Sequence, residues 1–217
     1  MNESIHGEGG GSETERFWES HYGARERVWS GRPNPVLVDV AASLPAGTAL
    51  DLGCGEGADA VWLAGLGWRV TAVDVSSIAL SRASAHAATA GVGAHIDFQR
   101  HDLAHSSPPG VFDLVNAQYL LSPVEFPRDR VLQAASRAVE PGGLLLIVDH
   151  ASVTPWSWNH EPHQRFPTPT ETLAALDLAP EQWHTERLGA PERQAIGPNG
   201  ESVSVIETVI AARRLAP

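Results

Sequence analysis

The 217-residue chain has one cysteine, Cys54, so no disulfide bond can form within it. Basic residues are also scarce, because 15 Lys and Arg stand against 26 Asp and Glu, which gives a formal net charge of −11. This charge repels polyanions, so we expect no nucleic-acid partner. No apolar run approaches the roughly 20 residues of a membrane span, and no signal peptide is visible. These absences favour a cytoplasmic protein with a small or cationic ligand.

Residues 1–14 are polar and rich in glycine, which predicts a flexible tail followed by one domain over residues 15–217. Apolar stretches then alternate as strand and helix along the chain. The predicted strands cover residues 48–52, 68–75, 95–103, 110–118 and 144–150, and the helices between them cover 58–66, 76–88 and 125–139. This alternation indicates a parallel α/β sheet. Residues 182–188 and 202–213 are predicted to form a closing antiparallel hairpin across a turn-rich connection.

The stretch ALDLGCGEGADAVWLA, residues 49–64, places Gly53, Gly55 and Gly57 between a strand and a helix. Such a turn lets backbone N–H groups approach a ligand closely, and the helix N-terminus adds a partial positive charge. The spacing G-x-G-x-G differs from the G-x-G-x-x-G of dinucleotide sites, and Asp51 and Glu56 would repel a pyrophosphate. A nicotinamide-dependent oxidoreductase is therefore the weaker alternative.

Asp74 ends the next predicted strand, about 20 residues after the first glycine, where an acid can accept hydrogen bonds from ribose hydroxyls. Together with the acids of the turn, it predicts an adenosine-like ligand that carries a cationic group.

Five stretches between about residues 47 and 150 resemble the successive motifs of class I S-adenosylmethionine-dependent methyltransferases. In chain order they are LDLGCGEG, VTAVDVS, HDL, FDLVNAQ and EPGGLLLIV. The N-terminal stretch FWESHYGARERVWSGRPNPVL is similar to the opening of the tellurite-resistance and thiopurine methyltransferase-like small-molecule branch. The resemblance implies a Rossmann-like three-layer sandwich with a seven-stranded, mostly parallel sheet of order 3-2-1-4-5-7-6, in which strand 7 is antiparallel.

The same resemblance implies methyl transfer from S-adenosylmethionine to a small-molecule acceptor. Soft sulfur, selenium or tellurium nucleophiles are the acceptors that this branch suggests, while oxygen and nitrogen acceptors stay open. A non-catalytic protein that binds S-adenosylmethionine as a sensor or partner subunit is the alternative. The implied cofactor contacts run from the methionine part to the adenine and then to the floor beside the acceptor: Asp51, Gly53, Cys54, Gly55 and Gly57, then Asp74, Val75, Ser76, Asp102 and Leu103, and finally Asn116 and Gln118.

Two segments rich in aromatic residues are predicted to close over this site. In the first, Trp29 shelters a sulfonium through its ring face and Arg32 pairs with the cofactor carboxylate, whereas Tyr22 either binds substrate or only covers the sheet edge. In the second, residues 150–170, several prolines argue against a helix and predict a lid. The predicted substrate-binding residues are Tyr22, Tyr119, Trp156 and Trp158.

His150 ends the fifth predicted strand and is the candidate general base, with a histidine satisfied by backbone hydrogen bonds as the alternative. The pair His160 and His163 has loose spacing and no third ligand nearby in sequence, so we expect no metal site.

Overall fold

A computed structural model describes residues 11–157 and 165–216. The helices are α1 (Glu13–Gly23), α2 (Pro35–Ala41), α3 (Ala58–Gly65), α4 (Ser77–Thr89), α5 (Arg128–Arg137) and α6 (Pro169–Ala175). The strands are β1 (Thr48–Leu52), β2 (Arg69–Asp74), β3 (Ile96–Arg100), β4 (Phe112–Gln118), β5 (Val139–His150), β6 (Trp183–Gly189), β7 (Glu192–Ile196) and β8 (Ser202–Arg214).

The sheet has the order β3-β2-β1-β4-β5-β8-β6, with β7 paired to β8 outside this path. Strands β1 to β5 pair in parallel, and β8 pairs antiparallel with β5 and with β6. The predicted fold class and strand order are thus confirmed, with β8 in the place of the antiparallel seventh strand. Because β1 to β5 are parallel, their carboxyl ends meet at one edge of the sheet, and the predicted site residues follow those ends.

The closing hairpin differs from the prediction. The segment that the sequence indicated as turns contains β7, which pairs with the first half of β8 from Glu192 opposite Ile206 to Ile196 opposite Ser202. The predicted partner, β6, pairs instead with the second half of β8. We call β7 together with residues 202–207 of β8 the projecting hairpin. It extends past His150, the last residue of β5, which pairs with Glu207.

Helices cover both faces of the sheet. On one face α2 and α3 bury Leu37 and Leu63 against strand residues such as Leu146. On the other face α5 buries Leu132, and Leu176, which directly follows α6, is buried in the same cluster. The unbroken apolar run of β5 follows from burial on both faces. In the part of the chain that is described, no helix is long and apolar enough to cross a bilayer.

Helix α1 begins at Glu13, where the Ser12 side chain accepts a hydrogen bond from the Glu15 N–H and caps it. Residues 12–14, which the sequence analysis assigned to the tail, thus form the cap and the first residues of this helix. Residues 1–10 lie outside the described residues, so the rest of the tail and the extent of the single domain stay predictions. Helix α5 ends two residues before its predicted end, because the Ala138 carbonyl accepts from the Phe112 N–H of β4.

Candidate active site

The turn after β1 requires its glycines. Gly53, Gly55 and Gly57 all have positive φ, at 68°, 53° and 82°. A Cβ atom at Gly53 would lie 2.8 Å from Cδ1 of Leu120, and one at Gly57 would lie 2.7 Å from Cβ of Ala83. The turn thus needs both the left-handed conformation and the missing side chains. It leads into the N-terminus of α3, where Gly57 is the N-cap.

Asp74, at the end of β2, points to this turn. Its Oδ2 accepts from the Gly55 N–H at 2.9 Å, and its Oδ1 accepts from the Ser76 N–H at 2.9 Å. Burial raises the pKa of Asp74 to about 6, and the two backbone N–H groups offset part of that rise. Each carboxylate oxygen keeps a further lone pair for a ligand hydroxyl. The position agrees with the predicted ribose contact, whose role stays a prediction.

A chain of polar side chains crosses the ends of β1 and β4. Gln118 donates to Oδ1 of Asn116, and Asn116 donates to Oδ1 of Asp51 at 2.9 Å. Among the described residues, no hydrogen-bond partner is found for the buried Oδ2 of Asp51 or the buried Oε1 of Gln118. Burial and the neighbouring charge of Asp59 raise the pKa of Asp51. Two buried acceptor atoms without partners are what a ligand with donor groups or a positive charge would satisfy.

Tyr22 and Trp29, which we call the aromatic cover, lie over the turn. Trp29 Nε1–H donates to Oη of Tyr22 at 2.9 Å, and a Cβ at Gly55 would lie 2.9 Å from that Oη and 3.2 Å from that Nε1. The geometry places Tyr22, which is buried, at the glycine turn. Whether either ring contacts a sulfonium stays a prediction.

Glu56 fixes the aromatic cover to the turn, whereas the sequence analysis considered it only as a negative charge beside the ligand. Its buried carboxylate accepts from the backbone N–H groups of Val28 and Trp29 and from Nη1 of Arg82 at 2.9 Å. Arg82 also donates to the carbonyl oxygens of Tyr22 and Arg25. No spacing rule connects residues 28, 56 and 82, so only the fold could show that this acid is paired.

Next to the turn, Tyr119, His150 and Glu207 form a second cluster, to which β7 contributes Arg193. The Tyr119 ring stacks on that of His150, with centroids 4.2 Å apart and planes at 16°. The Tyr119 hydroxyl donates to Oε1 of Glu207, and Arg193 donates to both oxygens of Glu207, at 2.6 and 2.7 Å. Sequence reasoning found Tyr119 and His150 but missed Glu207 and Arg193, whose partners are distant in the chain.

His150 is an exposed residue at the end of β5, but the groups packed around its ring partly desolvate it and lower its pKa. The charge of Glu207 opposes that effect, and the charge of Arg193 adds to it. Among the described residues, no hydrogen bond to a ring nitrogen of His150 is found, and both the general base and the histidine satisfied by backbone hydrogen bonds stay predictions. A neutral imidazole with a free nitrogen can accept a proton.

Three more of the predicted residues, Ser76, Asp102 and Cys54, are buried or half-buried. Ser76 is buried and caps α4, because its Oγ accepts from the Ala79 N–H and donates to Glu19. The Asp102 carboxylate accepts from the Ala104 N–H at 3.0 Å. Burial raises the pKa of Cys54, which agrees with a space-filling thiol.

Other predicted residues lie nearer the periphery. Leu103 lines a cavity of about 370 Å³ between the loop after β3 and α5. The Val75 carbonyl accepts from Nε of Arg100. Arg32 is exposed, and Trp156 packs at the tip of the projecting hairpin, 2.6 Å from where a Cβ at Gly197 would lie. Trp158, His160 and His163 lie outside the described residues, and the described ranges hold no group of three or more potential metal ligands.

Comparison with known proteins agrees with this geometry. Residues 49–143 match the family model described as "Methyltransferase domain". A ubiquinone biosynthesis O-methyltransferase of Burkholderia orbicola (strain MC0-3) is 34% identical over 113 residues, which are 51% of this chain and 48% of that protein. The chain thus spans about half the length of the curated relatives it matches.

Solved structures extend the likeness over nearly the whole chain. One, from work on the conversion of a disulfide bond into a thioacetal group during echinomycin biosynthesis, is 26% identical, with a TM-score of 0.69 over 93% of this chain and 91% of its own. TehB from Haemophilus influenzae is 17% identical, with a TM-score of 0.67 over 90% of this chain and 66% of its own, and so shows the fold alone. Residues 49–143 therefore match a methyltransferase domain, and the chain as a whole has the fold of these solved structures.

Proposed function

We propose that this chain transfers a methyl group from S-adenosylmethionine to a small-molecule acceptor, with a soft sulfur nucleophile as the first candidate. The observation that carries the proposal is the contact between Asp74 and Gly55, which brings the acid of β2 onto the glycine turn of β1. A carboxylate beside an open turn suits a nucleoside with free ribose hydroxyls.

The residues present fit this cofactor. Asp51 and Asp74 are buried and Asp59 is half-buried beside Asp51, and desolvation raises the pKa of each. A ligand that carries ammonium and sulfonium charges would lower the cost of ionising these carboxylates. Such a ligand would also pair with Oδ2 of Asp51, for which no hydrogen-bond partner is found among the described residues. When bound, S-adenosylmethionine supplies a methyl group already activated for displacement.

The protein's own residues then orient the acceptor and exclude water. Orientation supplies roughly 7–11 kcal/mol of barrier lowering in well-aligned reactions. We place the acceptor beside Gln118, Tyr119 and His150, and close the cofactor side with the aromatic cover. An acceptor that arrives protonated would pass its proton to a ring nitrogen of His150, and the electron pair of its S–H or O–H bond would form the new bond to the methyl carbon. The bond between the methyl carbon and the cofactor sulfur would break at the same time and return its electron pair to that sulfur, which leaves as the thioether of S-adenosylhomocysteine.

Sulfur is favoured as the acceptor atom by the structure linked to echinomycin biosynthesis, whose substrate chemistry concerns a disulfide bond. The acidic character of the chain adds support against polyanionic acceptors, since 26 acidic residues exceed 15 basic ones. A thiol also needs only a weak base, because its pKa lies near 8.5. The oxygen acceptor implied by the name of the curated relative is the second arm of the test.

The test is a methyl-transfer assay at about pH 7 with radiolabelled S-adenosylmethionine, with benzyl mercaptan, a thiol that is protonated at this pH, as the sulfur probe and catechol as the oxygen probe. We expect label in benzyl methyl sulfide, and at least a tenfold lower kcat with His150→Asn. Label only in the catechol product would overturn the sulfur acceptor. If the cofactor binds but neither probe is labelled, the sensor alternative gains support over the methyltransferase.

A further inference from the structure

The projecting hairpin reaches over the end of β5 and turns one face toward the acceptor side of the site. On that face lie Arg193, Ala195, Val205 and Glu207, which are buried or half-buried, while their neighbours along each strand are exposed. Glu207 is 2% exposed although it carries a carboxylate. Burying a carboxylate costs free energy because the group loses its hydration, unless hydrogen bonds or opposite charges offset that loss.

We propose that Glu207 is the positioning residue of the acceptor site, because it fixes the Tyr119 hydroxyl and Arg193 around the His150 ring. This proposal rests on the proposed function, since it assigns the acceptor side of the same site. Three contacts carry it: the hydrogen bond from Tyr119, the bidentate pair with Arg193, and the pairing of Glu207 with His150 across β5 and β8.

The backbone conformation of Tyr119 is a separate observation that supports this positioning. Its φ of 52° lies in the left-handed region, which a non-glycine residue adopts at a cost of roughly 1–3 kcal/mol. The bond from its N–H to the Val148 carbonyl, at 2.7 Å, holds the backbone, and Glu207 holds the far end of the ring. With both ends fixed, the ring can present one orientation to His150 and to an acceptor.

The charges of the cluster balance within it. Glu207 and Arg193 neutralise one another, so that no free charge from this pair is offered to the acceptor. The groups that face His150 from neighbouring elements are Tyr119 after β4, Glu207 on β8 and Arg193 on β7. The arrangement favours an acceptor that enters as an uncharged thiol or hydroxyl and meets a neutral imidazole.

The test measures the pKa of His150 by NMR in the full chain, with the signal assigned by its loss in His150→Asn. Glu207→Gln removes the negative charge and leaves Arg193 unbalanced, so we expect the pKa of His150 to fall by about one unit. Glu192→Gln is the matched control, because Glu192 is on the exposed face of the same hairpin, where its carboxylate accepts from the Ser204 hydroxyl. It should leave the pKa unchanged.

The double variant Glu207→Gln with Arg193→Met restores neutrality, and we expect the pKa of His150 to return most of the way to its original value. It also guards against poor folding of the single variant. An unchanged pKa in both variants would overturn the proposal, whatever acceptor the protein uses. With benzyl mercaptan, Tyr119→Phe should lower kcat about tenfold while the affinity for S-adenosylhomocysteine stays constant, and an unchanged kcat would also count against the proposal.

Discussion

Binding of S-adenosylhomocysteine should weaken in acid because of one carboxyl group, Asp74. Its pKa is raised to about 6 by burial, and ribose hydroxyls would favour its charged form. At pH 5 about nine molecules in ten then carry a protonated Asp74, and at pH 7 about one in ten. Since the ligand binds the ionised form, we expect the Kd at pH 5 to be about tenfold higher than at pH 7.

Isothermal titration calorimetry in buffers of different ionisation enthalpy can count the protons released on binding. Asp74→Asn keeps the shape but removes the charge, so it should raise the Kd at pH 7 by about tenfold and reduce the pH dependence. Asp113→Asn is a suitable control, because Asp113 also accepts a backbone N–H, that of Thr48, but at the opposite edge of the sheet. Equal pH slopes in the wild type and in Asp74→Asn would refute the reasoning.

Three further predictions concern the frame around the site. Gly55→Ala and Gly142→Ala both force alanine into positive φ, so each should lower the free energy of unfolding by about 1 kcal/mol or more. Only the methyl group at residue 55 would meet the aromatic cover. Calorimetry should therefore show about tenfold weaker binding of S-adenosylhomocysteine for Gly55→Ala alone. Glu56→Gln should lower the free energy of unfolding by about 2 kcal/mol in urea titrations, and a wild-type value would contradict its anchoring role. Arg128→Met leaves the buried carboxylate of Asp149 without its partner and should cost about 3–5 kcal/mol at pH 7. Burial already raises the pKa of Asp149, and removing Arg128 should raise it further. As pH falls, the folded state of this variant then binds a proton that the unfolded state lacks, so the variant should regain stability. A stability that does not change with pH would contradict this prediction.

The sequence predicted those parts of the site that depend on local pattern. Strand β1, the glycine turn and the acid at the end of β2 follow one another at short spacing, and periodicity sufficed to find them. Strand β7 was not predicted, because glycine, proline and asparagine flank it and the segment resembles a series of turns. Its strand character comes from pairing with β8.

Long-range partners could not be predicted in the same way. Tyr119 and Glu207 are 88 residues apart in the chain, and Glu56 meets Trp29 across 27 residues. From sequence alone, a glutamate at position 56 or 207 is expected to be exposed to solvent. Only the fold shows that Glu56 anchors the aromatic cover and that Glu207 lies buried beside His150.

A crystal structure of the chain with S-adenosylhomocysteine would show where the nucleoside and the sulfur lie. We expect the nucleoside over the turn Gly53–Gly57, with its ribose hydroxyls on the carboxylate of Asp74 and its sulfur toward Tyr119 and His150. A ligand bound elsewhere, or a ribose that leaves the Asp74 carboxylate untouched, would contradict this expectation.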